Sequence, residues 1–255
     1  MNLRKALFVT MIALSLMACS LVSRWLTSAT DTQETSLPPT SETPVVINHP
    51  KPDLGVDVQP FIDAGCSGEN LYVMECAVDS PLRELGCDFL RSAALVGGLD
   101  PAYPAAICLR REMSGEPPDP SSFQMTGCMA PLYQSTVISV DGEFRLVSSS
   151  DDFQAYFEPI ESEDEALSYA QLVTGWDAVY GRQVSPAYTY RAERIEDTYV
   201  VKTEDGYLVS LFSGPEPLCG CGVHTFYQQD VLVRPDGQVE VIQSTPLYDL
   251  EVCID

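Results

Sequence analysis

Cysteine placement constrains this chain more than any other feature. Cys66, Cys76, Cys87, Cys108, Cys128, Cys219, Cys221 and Cys253 lie along the main body, and a ninth, Cys19, stands apart near the start. In an oxidising compartment an even set of this kind reads as a disulfide framework whose connectivity composition alone cannot choose. Parity narrows the choice. Five of the eight lie between residues 66 and 128 and three between 219 and 253, so both groups are odd. Full oxidation then requires at least one bridge between the two halves. A cross-link closing a loop of about 100 residues contributes on the order of 4–5 kcal/mol.

The first residues say which compartment to expect. Arg4 and Lys5 form a positive start, residues 6–17 are apolar apart from Thr10 and Ser15, and Ala18 is a small residue where cleavage would fall. That is the layout of a secretory signal peptide over residues 1–18. The run Leu16-Met17-Ala18-Cys19 resembles the lipobox of bacterial lipoproteins, with Leu at −3, Ala at −1 and Cys at +1. Met17 departs from the usual small or β-branched residue at −2. The resemblance implies cleavage before Cys19 and a diacylglycerol on its sulfur; no other cofactor is expected. It implies a lipid anchor in the cell envelope, with the body facing away from the cytoplasm. The competing reading is an uncleaved anchor: residues 6–22 carry no charge, but they fall short of the roughly 20 residues that span a bilayer.

Charge removes one class of partner. Loss of residues 1–18 takes Arg4 and Lys5, leaving 12 basic against 37 acidic side chains, a formal charge of −25. A field of that sign repels phosphate backbones, so nucleic acid is excluded and cationic partners are favoured.

Residues 19–60 hold the lipid site and a stretch rich in Ser, Thr, Pro and Glu. Such composition offers little apolar surface to offset ordering entropy and predicts a disordered tether. His49 falls within it. Residues 61–130 form a cysteine-rich segment. There Ser80-Pro81 reads as an N-cap with proline at the first helical position. Leu82, Leu85, Phe89, Ala93 and Val96 follow at helical spacing, and Gly97-Gly98 reads as the stop, which predicts a helix carrying Cys87.

From residue 131 to 255 the texture is strand and turn. Asp141-Gly142, Asp205-Gly206 and Asp236-Gly237 each separate β-prone runs, as type I′ hairpin turns do. Between them, Ser162 to Glu165 forms a capping box. Ala166, Leu167, Ala170 and Val173 give that helix an apolar face, and Gly175 ends it. A shorter helix is expected around 151–157. The sum predicts an α+β fold: an antiparallel sheet with a covering helix, in the element order of a cystatin-like roll, joined to the disulfide-rich segment as one covalent unit. That analogy concerns fold alone.

Signals for chemistry are sparse. Cys219, Cys221 and His224 lie within six residues and could supply thiolate and imidazole ligands to Zn²⁺ or Cu⁺. The two cysteines could also form a redox pair, or each could close a structural bridge. His224 is the one histidine outside the tether. No Gly-x-Ser-x-Gly elbow, His-Glu-x-x-His pair, phosphate loop or dinucleotide fingerprint occurs. Glu161 to Glu165 could attract Ca²⁺, although helix capping already accounts for Ser162 and Glu165. Tyr188, Tyr190, Tyr199, Tyr207 and Tyr227 gather in the strand-rich part, and tyrosine suits both sheets and binding surfaces. These features point to a non-enzymatic module that binds an extracytoplasmic ligand or protein. The rival is a thiol redox or metal-handling protein built on Cys219, Cys221 and His224.

Overall fold

The computed structural model describes residues 43–254 except 71–72, 93–94, 112–124, 127–131 and 215–219. The signal run, Cys19, Cys128, Cys219 and most of the tether lie outside the described residues. What is described belongs to one compact unit, Pro39–Asp255.

The chain opens with β1 (Val45–Ile47) and a short helix, α1 (Gln59–Asp63). An antiparallel sheet follows, made of β2 (Cys66–Asn70), β3 (Val73–Cys76), β4 (Phe89–Ser92), β5 (Ala105–Arg111), β6 (Met125–Thr126), β7 (Leu132–Val140) and β8 (Glu143–Val147). Its order is β2-β3-β4-β5-β7, and β6 and β8 both pair with the free side of β7. One turn of helix, α2 (Pro81–Glu84), interrupts β3 and β4, and α3 (Ser150–Phe157) and α4 (Glu163–Thr174) come after β8. The last strands are β9 (Tyr188–Tyr190), β10 (Arg194–Glu196), β11 (Tyr199–Lys202), β12 (Tyr207–Ser213), β13 (Gly220–Val233) and β14 (Val239–Ile254). They form a second antiparallel sheet in the order β11-β12-β13-β14-β9, while β10 pairs in parallel with β1. The fold is therefore α+β and dominated by antiparallel sheet.

Helix α4 is the centre of the molecule. Its capping box forms as the residues dictate: Ser162 Oγ accepts from the Glu165 N–H at 3.2 Å, and Glu165 Oε2 accepts from the Ser162 N–H at 2.9 Å. Such a cap is worth about 1 kcal/mol. Gly175 closes the helix in the left-handed region at φ 67°. The amphipathic reading underestimates its burial, because every residue from Ala166 to Leu172 is buried. The reason is tertiary. One side of α4 meets Tyr207, Val209, Leu211, Val231 and Val233 of the second sheet, and the same core continues to Leu95, Val96, Ala105, Ile138 and Val147 of the first sheet and its loop.

Burial on all sides obliges the polar residues of α4 to find partners. Ser168 Oγ accepts from the Gly98 N–H at 3.0 Å and donates to the Leu95 carbonyl at 3.2 Å. Gln171 Nε2 donates to the same carbonyl at 2.9 Å, and Tyr169 donates to the Gly237 carbonyl at 3.0 Å. Burial first, then the carboxylates of Glu158 and Asp236, pushes the Tyr169 hydroxyl well above its ordinary value, so it serves only as a neutral donor.

Two sequence expectations are corrected. The helix expected from residue 80 to 97 lasts one turn, capped by Ser80, whose Oγ accepts from the Leu82 N–H at 3.3 Å. Gly86 then turns into the left-handed region at φ 87°, and residues 89–92 run as β4 between β3 and β5. Cys87 thus precedes a strand rather than riding a helix. Gly97 and Gly98 serve close approach instead of helix termination. A Cβ on Gly97 would stand 2.2 Å from the Gly55 carbonyl oxygen, and one on Gly98 2.4 Å from that of Asp164. The second correction concerns the tether: residues 43–58 lie on the body, with β1 paired to β10 and Leu54 in the main core.

The three Asp-Gly pairs each sit between paired strands, in different turns. Asp141 and Gly142 both have positive φ, 53° and 83°, as a two-residue type I′ turn requires. At Asp236-Gly237 only the glycine is left-handed, at φ 73°, and the Arg234 N–H reaches the Gln238 carbonyl across a wider loop.

Among the described residues three disulfides are formed: Cys66–Cys76, Cys87–Cys108 and Cys221–Cys253. The first and third join residues directly opposite in the β2/β3 and β13/β14 ladders. The second ties the approach to β4 onto β5. With Met74, Leu82, Leu90, Phe61 and Val137, the first two bridges fill a separate core on the far face of the first sheet. Two of them stay within the first odd group and one within the second, so the parity requirement passes to Cys128 and Cys219. Thiol titration of residues 20–255, denatured and unreduced, is expected to find no free thiol, leaving those two as the fourth pair. Two titratable thiols would mean that no disulfide links the halves.

Candidate functional site

A row of stacked aromatic rings crosses the second sheet. Tyr188 stacks on Tyr248 with ring centroids 4.2 Å apart and planes within 9°. Tyr248 stacks on Phe226 at 5.0 Å, and Phe226 on Phe212 at 5.7 Å. Beyond them the Arg182 guanidinium carbon lies 4.2 Å over the Phe212 ring. Each ring comes from a different strand: β9, β14, β13 and β12. Register explains the row. Phe226 is directly opposite Tyr248, while Phe212 faces Gln228 and meets Phe226 on the diagonal, within reach for aromatic side chains.

Tyr190 braces the row edge-on, 6.0 Å from Tyr248, and its hydroxyl accepts from the Ser185 N–H at 2.7 Å. Tyr248 and Tyr190 are buried, whereas Tyr188, Phe226 and Phe212 are half-buried. Burial, reinforced by the neighbouring Tyr188, pushes the Tyr248 hydroxyl up to about 12, against the opposing pull of Arg182. Tyr248 therefore stands in the row as a neutral phenol. Burial pulls Arg182 below its ordinary value, and Tyr248 and Asp197 oppose that pull. Arg182 Nε is buried with no hydrogen-bond partner among the described residues, an uncompensated donor of the kind that calls for a functional or structural account.

Behind Arg182 stands a carboxylate that fixes its loop. Asp197 is fully buried. Its Oδ2 accepts from the Gly181 N–H at 2.8 Å, Asn48 Nδ2 at 3.1 Å and the His49 N–H at 3.2 Å, and its Oδ1 accepts from the Arg182 N–H at 3.1 Å. Burial acts to raise this carboxyl, but the four donors together outweigh it and hold the pKa below the ordinary value. His49, expected in the tether, is fixed here too, with Nε2 2.8 Å from Glu196 Oε1. Asp197 thus joins the start of the described chain to the loop that carries Arg182.

The other residues singled out from sequence are dispersed. Cys221 is bonded to Cys253, so its sulfur is not a thiolate for metal, and Cys219 lies outside the described residues. His224 is buried, its Nε2 3.3 Å from the Gly220 carbonyl. Among the described residues no group of three or more His, Cys, Asp and Glu is placed to hold a metal ion. Tyr207 belongs to the main core and donates to the Glu161 carbonyl, and Tyr199 packs against His49 with centroids 5.6 Å apart. Of the five tyrosines only Tyr188 and Tyr190 join the aromatic row. Arg182, Phe212, Phe226 and Tyr248 escape sequence reading because each is ordinary in its own strand or loop. The chain matches no family model, and comparison with curated proteins and with solved structures likewise returns no match.

Proposed function

We propose that this protein is an exported, lipid-anchored, acidic binding module whose contact surface is the aromatic row from Tyr188 to Phe212, closed by Arg182. The observation that carries the binding reading is the row itself. Three half-buried rings set side by side across the sheet, one buried tyrosine and a guanidinium with an unpaired Nε form a surface suited to stacking on a flat ring of a ligand. The disulfide framework supports an oxidising compartment, and the lipobox-like run at Cys19 supplies the anchor. A cystatin-like roll agrees with the placement of α4 on β11, β12 and β13.

Two measurements test the proposal. Detergent phase partition should place the full chain with membranes and the Cys19→Ala chain in the aqueous phase. A photo-crosslinking amino acid at Tyr188 in living cells should give a discrete adduct that the same probe at exposed Val201 does not. Equal adducts at both positions, or none at Tyr188, would reduce the row to internal packing. Retention of Cys19→Ala in the detergent phase would remove the lipid anchor.

A further inference from the structure

The described disulfides are of two kinds. Cys66, Cys76, Cys87 and Cys108 are at most 2% exposed, enclosed by Phe61, Met74, Leu82 and Leu90. Cys221 and Cys253 are both exposed. Topology accounts for the difference. β12 pairs with β13 only from Ser213↔Tyr227 inward, and β9 pairs with β14 only at Tyr248, Asp249 and Leu250. Residues 220–223 and 251–254 therefore run on as a two-stranded extension with no third strand among the described residues.

Little side chain covers this extension. Gly220 and Gly222 flank Cys221 with φ 77° and 153°, and a Cβ on either would meet nothing within 4 Å. Val223 is 60% exposed. His224, the nearest basic group along the strand, turns back to the Gly220 carbonyl. Thiol–disulfide exchange needs a thiolate to approach one sulfur along the axis of the bond, so its rate depends on access. In the buried bridges that approach requires unfolding; at Cys221–Cys253 it does not.

We propose that Cys221–Cys253 is a thiol-exchange site, reduced by an extracytoplasmic dithiol while the rest of the fold stands. One thiolate of the dithiol attacks a sulfur of the bridge, forming a mixed disulfide and releasing the other cysteine as a thiolate, which takes up a proton. The second thiol of the dithiol, deprotonated, attacks the mixed disulfide and releases the remaining cysteine. The protein gains two thiols and the dithiol becomes a disulfide, so electrons and protons balance. Because Cys221 and Cys253 are directly opposite in the ladder, main-chain pairing keeps the reduced pair together and the step reverses readily. The acidic surface, net −25 after loss of residues 1–18, disfavours anionic thiols and selects an uncharged reductant.

Dithiothreitol, a neutral dithiol, is the probe. The oxidised mature chain is treated under native conditions, quenched with iodoacetamide at intervals and mapped by peptide mass. Alkylation at Cys221 and Cys253 is expected at least ten-fold faster than at Cys66, Cys76, Cys87 and Cys108, with near-ultraviolet circular dichroism largely retained. The double variant Cys221→Ser/Cys253→Ser should lose the fast phase and keep the slow one. A single shared rate for all six cysteines, set by unfolding, would overturn the proposal, as would a fast phase at Cys66, Cys76, Cys87 or Cys108 that survives in the double variant.

Discussion

Replacement of Asp197 by alanine is expected to cost about 3 kcal/mol of stability: a donor left without an acceptor costs about 1–3 kcal/mol when water does not replace it, and the four donors here are part-buried, so water takes up some of the loss. The donors are those of Gly181, Arg182, His49 and the Asn48 side chain. Urea denaturation with an unchanged m-value would report the loss, and faster proteolysis near residues 43–50 would show where it falls. The effect depends on pH with a defined sign. Asp197 has a folded pKa below its unfolded value, so its contribution is complete above about pH 4, the ordinary aspartate value. It disappears as pH falls through the folded pKa. The gap between the native chain and Asp197→Ala should therefore be widest near neutrality and close in acid. A gap independent of pH would mean that shape rather than charge holds the clip.

Gly98→Ala is expected to cost a similar amount, about 3 kcal/mol, by overpacking. The added methyl would stand 2.4 Å from the Asp164 carbonyl oxygen and 2.6 Å from its carbon, with Ser168 Oγ at 2.9 Å. Two of these are backbone atoms in the first turn of α4, so no rotamer change relieves the clash. The helix must move, and the Gly98 N–H bond to Ser168 moves with it. Gly55→Ala is the control, since a Cβ there meets nothing within 4 Å; it should shift the denaturation midpoint little. Equal tolerance of both substitutions would show that the 95–98 loop does not bear on α4 as described.

These two positions mark where local reading stops. Gly97-Gly98 is visible in sequence as a break, but its use, backbone meeting backbone, depends on what lies opposite. The run Leu82, Leu85, Phe89, Ala93, Val96 has helical spacing, yet pairing with β3 and β5 and the bridge from Cys87 to Cys108 draw its middle into a strand. Spacing over a short window does not outweigh those long-range partners. Asp197 resembles any of 37 acids until four donors converge on it.

The amino-acid sequence by itself determined both ends of α4, the places of three hairpin turns though not their types, and the parity that obliges the cysteine groups to be joined if all are oxidised. Each of these is local or arithmetic: a side chain capping its own helix, a glycine reaching positive φ, an odd count. Only the tertiary structure decided that α4 is enclosed on every side, that residues 43–58 belong to the body, and that Tyr188, Tyr248, Phe226 and Phe212 form one row. Those outcomes depend on strand register and on burial between elements far apart in the chain, where the energy lies in contacts that no single stretch of sequence contains.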